Sequence, residues 1–137
     1  ALNYLGYMLA DRNVKVAEAQ DMVSKALALE PNNGAYLDSL GWVYYRMGKL
    51  PEAEETLRQA VSRTGKDPTV HDHLGDVFAK AGKLKEAIGQ WEFAVKEYAN
   101  GSPSDNDPVE VAKLQKKLEG AKVRLAKDKE GTKAAKP

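Results

Sequence analysis

The chain has 137 residues, 42% apolar and 30% charged, with a formal net charge of +1. That is one domain's length in an ordinary soluble balance, and no apolar run approaches the ~20 residues a membrane-spanning helix needs. With no cysteine, disulfides, Cys-ligated zinc and thiol catalysis are excluded within these residues.

The small net charge conceals an acidic body over 1–107 and a basic end over 108–137. In chain order, apolar periodicity and terminator residues predict helices over 1–11, 15–29, 34–47, 51–63, 68–81 and 85–99. The chain opens Ala1-Leu-Asn-Tyr-Leu-Gly, inside a helical pattern and without an initiator Met. It therefore reads as a piece of a longer protein, silent about any targeting segment. Gly48 and Gly82 fall where a helix end favours positive φ. Pro51 suits the first turn of a helix, and Asp67-Pro68 reads as N-cap followed by N1. The polar stretch 100–107 is expected as a linker. Asp107-Pro108-x-Glu110 then announces a further helix over 108–126, with a flexible basic tail over 127–137.

A repeat underlies these elements. Leu-Gly recurs at Leu5-Gly6, Leu40-Gly41 and Leu74-Gly75, spaced by 35 and then 34 residues. After the second and third come Gly48 and Gly82, then Ala53 and Ala87, then Ala60 and Ala94, in the same register. The first unit answers with Ala19 and Ala26, offset by an insertion in its Asp11–Lys15 turn. Each unit makes sense as two antiparallel helices. Gly41 and Ala53 are small where backbones approach. Leu9, Tyr44 and Phe78 supply bulk on the first helix, and Val23, Leu57 and Trp91 on the second.

This ordered pattern over residues 1–99 resembles the tetratricopeptide-repeat (TPR) family. The family's Trp slot is here Leu2, Leu37 and His71, and its closing proline appears only as Pro31. The resemblance implies an all-α solenoid of three repeats, at about 1–33, 34–66 and 67–99, with the 108–126 helix as a C-terminal cap. It also implies a protein-interaction scaffold or adaptor, holding a peptide or partner protein in a concave groove lined by the first helix of each repeat. Groove positions carried over from each Leu-Gly are Asn3, Tyr4 and Tyr7, then Asp38, Ser39, Trp42, Tyr45 and Arg46, then Asp72, His73, Asp76 and Lys80. Trp42 and Tyr45 lie off the stripe formed by Leu37, Leu40, Gly41 and Tyr44, which suits anchors of a binding surface. The alternative is that they pack as ordinary core. An aromatic floor with acidic Asp38 and Asp76 at its edge suits a partner with apolar and basic side chains.

TPR modules that clamp a C-terminal carboxylate use cations and amides at five groove positions, which here read Asn3, Tyr7, Ser39, Thr69 and His73. No fixed cation stands there, which argues against that sub-type. The segments Leu2–Tyr7, Tyr36–Tyr45 and His71–Asp76 are similar to the C-terminal repeats of long bacterial TPR proteins, several of them envelope lipoproteins. This implies a bacterial source, with a periplasmic or outer-membrane-associated location favoured over a cytoplasmic one.

In the last helix Val111, Leu114, Leu118, Ala121 and Leu125 form one apolar stripe. Lys113, Lys116, Lys117, Lys122 and Arg124 lie mostly off it. Repeat stacks need a polar-backed cap, so this helix is expected against 85–99. The alternative is self-association through its heptad-like stripe, as a structural or oligomerisation segment, although Gly120 weakens a coiled coil. A monomer is favoured. The lysines, without interleaved aromatics, do not make a specific nucleic-acid site. His71 and His73, two apart on a helix, point away from each other and cannot share a metal. Glu54 and Glu55 belong to an outer helix face. No catalytic residue, metal or cofactor is expected, and the chain is not expected to be an enzyme.

Overall fold

The computed structural model describes residues 16–101 and 107–135, with side chains described through residue 130. Among these it is helical throughout: α1 (Val16–Leu29), α2 (Gly34–Arg46), α3 (Leu50–Thr64), α4 (Pro68–Lys80), α5 (Leu84–Asn100) and α6 (Pro108–Ala135). Neighbours in sequence are neighbours in space, with α2 paired to α3 and α4 to α5, and α4 also set against α3. The expected helix over 1–11 lies outside the described residues.

Local chemistry fixes the boundaries. Asn33 caps α2 by accepting from the Tyr36 N–H, and Asp67 caps α4 by accepting from the Thr69 N–H. At the other end of α2 the Gly48 N–H donates to the Tyr45 carbonyl at 3.0 Å and the Lys49 N–H to the Tyr44 carbonyl at 2.9 Å. That is the Schellman arrangement, and it requires the positive φ of 79° found at Gly48. Gly82 and Lys83 repeat it on Ala79 and Phe78 at the end of α4, with φ of 82° at Gly82.

Packing within each pair follows from the small residues. A Cβ at Gly41 would stand 2.5 Å from Leu57 Cγ, and one at Gly75 would collide with the indole of Trp91. Each glycine thus seats the bulky side chain of its partner helix. Leu57, Trp91, Ala53, Ala60, Ala87 and Ala94 share one core with Leu74, Val77 and Phe78. On the outer side Lys83, just before α5, bonds Glu54 of α3 at 2.8 Å, and Glu54 also takes Arg58 at 3.2 Å.

The last helix packs along α5. Leu114 and Ala121 are buried in the common core, with Leu118 and Leu125 half-buried against it. Asp107 caps the helix by accepting from the N–H groups of Val109 and Glu110. The helix continues to Ala135 instead of giving way to a tail after 126. Residues 127–135 are mostly Lys, Glu and Ala, good helix formers, and the next proline is Pro137.

Candidate partner-binding groove

Asp38, Trp42, Tyr45 and Arg46 recur on one face of α2 at helical spacing, and Asp72, His73, Asp76 and Lys80 do so on α4. Because the units share a 34-residue register, Asp38 answers to Asp72, Trp42 to Asp76 and Arg46 to Lys80. The two faces meet. His73 Nδ1 lies 2.8 Å from Asp38 Oδ1, and both residues are buried. The Trp42 ring stacks on Tyr45 with centroids 4.8 Å apart, and meets His73 at 4.4 Å. Further along α4, Lys117 of α6 donates to Asp72 Oδ1 at 2.6 Å and to Asp76 Oδ1 at 2.8 Å. Its ammonium also lies 5.4 Å from the centre of the Trp91 ring. The contacts are therefore continuous from α2 through α4 to α6.

Charge on this patch is strongly coupled. Burial pushes His73 down, but Asp38 opposes it through charge and hydrogen bond. Asp72 and Asp76 add to that, so the imidazole ends above its usual value. Burial and the neighbouring Asp72 carry Asp76 above the ordinary carboxylate range, against the pull of Lys117 and His73. Burial lowers Lys117, yet Asp76 and Asp72 outweigh it and hold the ammonium above its usual value. Tyr45 is raised, mainly by burial and then by Asp76.

The sequence-derived groove residues fare differently. Asp38, Trp42, Tyr45, Asp72, His73 and Asp76 are brought together, with Arg46 and Lys80 in the last turns of their helices. Ser39 is turned away. It is 2% exposed and its hydroxyl donates to the Ala35 carbonyl of its own helix. Trp42 is 8% exposed, so the aromatic floor is sunk beneath the surface, because α2 has neighbours on both sides: Ala19 and Val16 of α1 and His73 of α4. Asn3, Tyr4 and Tyr7 lie outside the described residues. Lys117 was missed by sequence reasoning. The signal was its place between Leu114 and Leu118 and one turn before Ala121, on the flank of the buried stripe.

His71 serves packing. It is buried against Phe93, with Nε2 2.8 Å from the Gly65 carbonyl and Nδ1 2.7 Å from the Gln90 side-chain amide. Among the described residues no group of three or more His, Asp or Glu is placed to hold a metal.

The family model for the tetratricopeptide repeat matches residues 8–68 and again 39–103. The chain belongs to the tetratricopeptide-repeat family. A TPR repeat-containing protein of Pseudomonas aeruginosa is 54% identical over 50 residues, which is 36% of this chain and 8% of that relative's length. Among solved structures, the type III secretion translocator chaperone SycD of Yersinia enterocolitica superposes with a TM-score of 0.78 at 19% identity, covering 91% of this chain and 83% of that one. PcrH in complex with the chaperone-binding region of PopD gives 0.77 at 20% identity, covering 90% of each chain. The Sgt2 TPR domain of Aspergillus fumigatus gives 0.76 at 22% identity, covering 99% of this chain and 82% of that one. At these identities the likeness is one of fold.

Proposed function

We propose that this TPR segment is a scaffold or adaptor that holds a protein or peptide partner against the joined faces of α2 and α4. One observation carries the reading: chemically rich residues at equivalent positions of successive repeats converge on a single patch instead of scattering. An aromatic stack set among charged groups is the composition that binding surfaces favour. The PcrH structure, named for its complex with a binding region of another protein, supports the same use of a similar fold. Binding rather than catalysis is the role proposed. A bacterial setting accords with the Pseudomonas relative, and an envelope location belongs to the proposal, to be tested by cell fractionation.

Self-association through the last helix is the weaker reading. Its apolar stripe is already engaged by α5, which supports a cap and a monomer. The deciding experiment is a pull-down with the wild-type chain beside a Tyr45→Ala, Arg46→Ala double variant. The variant should remain folded by circular dichroism, though less stable, while losing a defined protein. Retention of the same proteins by the variant would sink the groove reading.

A further inference from the structure

The polar groups of the patch are unequally matched. Its carboxylates are occupied from within: Asp38 pairs with His73, while Asp72 and Asp76 share Lys117. The donors of α2 are not. Trp42 Nε1 and Arg46 Nε are both buried, and among the described residues neither meets an acceptor. Four residues apart, the two side chains stand on the same side of the helix. Lys80, one repeat on from Arg46, is exposed, and no carboxylate of the described residues pairs with either cation. A buried N–H without an acceptor bears the loss of water with no bond in return, and a ligand acceptor relieves it.

We infer that this end of the groove takes a carboxylate of the partner, with the Trp42 indole N–H and the Arg46 guanidinium donating to it and Lys80 adding attraction. The inference rests on the groove reading above and deepens it. It also reverses the partner charge that Asp38 and Asp76 suggest in the sequence, because those acids are already neutralised by groups of the chain itself. A neutral carbonyl would satisfy the indole yet leave the guanidinium without a counter-charge. A basic side chain would find Lys117 in its place and Arg46 beside it. The carboxylate is that of an acidic side chain within an extended segment, not a free chain end. Trp42 and Arg46 are not among the positions that clamp chain ends in other TPR modules.

The test is fluorescence polarisation with pools of short labelled peptides. All are N-acetylated and C-amidated, share one randomised apolar and aromatic composition, and differ in a central Glu, Gln or Lys. A further Gln pool with a free C-terminal carboxylate separates the chain end from the side chain. The Glu pool should bind roughly tenfold more tightly than amidated Gln, the scale of one charge-assisted hydrogen bond. Arg46→Gln should erase that preference. Trp42→Phe, which keeps the stack and removes only the donor, should reduce it in a protein still folded by circular dichroism. Equal binding of all pools, a preference for Lys or for the free chain end alone, or an Arg46→Gln variant that keeps the preference would overturn the side-chain carboxylate site and leave the groove standing. Binding of no pool would overturn the groove reading and this inference with it.

Discussion

The two tryptophans occupy neighbouring repeats, and both are buried, at 8% exposure for Trp42 and 4% for Trp91. Their surroundings differ. Trp91 lies over Gly75, gives its indole N–H to the Asp72 carbonyl at 3.3 Å and carries Lys117 above its ring. Trp42 has ring neighbours on two sides and no acceptor for its N–H among the described residues. A residue selected for packing alone has its polar atom satisfied, as Trp91 does. Burial alone therefore does not distinguish the two tryptophans, whereas satisfaction of the polar atom does.

The largest expected effect falls on the packing side. Trp91→Ala empties the seat over Gly75 and should cost about 3–5 kcal/mol in urea unfolding. Trp42→Ala should also destabilise, since its ring is buried, so it cannot separate binding from folding. Lys117→Met comes next. It leaves Asp72 and Asp76 side by side without their cation, at about 1–3 kcal/mol, below the range for a fully buried pair. The loss should shrink in mild acid, where Asp76 takes up a proton readily. A loss independent of pH would show that Lys117 acts through its aliphatic stem.

The pH dependence of stability follows from the same groups. His73 is raised in the folded state, so its contribution is fully present below the unfolded value of about 6.5 and is lost as pH rises through the folded value. Asp76 is also raised, so its proton favours folding and that contribution is lost as pH rises above the usual carboxylate range. Both act in one direction. Melting temperature should therefore decline from near neutrality upward, and Asp38→Asn should flatten that decline. The smallest effect compares the two indoles directly. Trp91→Phe loses a hydrogen bond and Trp42→Phe does not, so the former should cost about 1 kcal/mol more. Equal costs would erase the distinction drawn between them.

Much of this was legible in the residues. Periodicity and capping residues located every described helix start within a residue or so, and Gly48 and Gly82 announced two helix ends. Gly41 was read as a close approach of backbones, where the structure seats the Leu57 side chain. The carried-over positions on α2 and α4 were legible as a set of residues but not as a set of partners. Asp38 and His73 are 35 residues apart, and Lys117 reaches acids more than 40 residues away, links that no periodicity encodes. Trp42 lies off the stripe facing α3 and packs with Ala19 and Val43 instead, because a helix inside a solenoid has more than one neighbour. Off one stripe is not the same as open to solvent.

The bonds that join α2 to α4 and α4 to α6 tie helices of different repeats to one another. The exposed Lys83–Glu54 pair adds little to that bracing. Mechanically the inter-repeat bonds are cross-braces: each spans residues far apart in the chain, so opening one repeat pulls on the next.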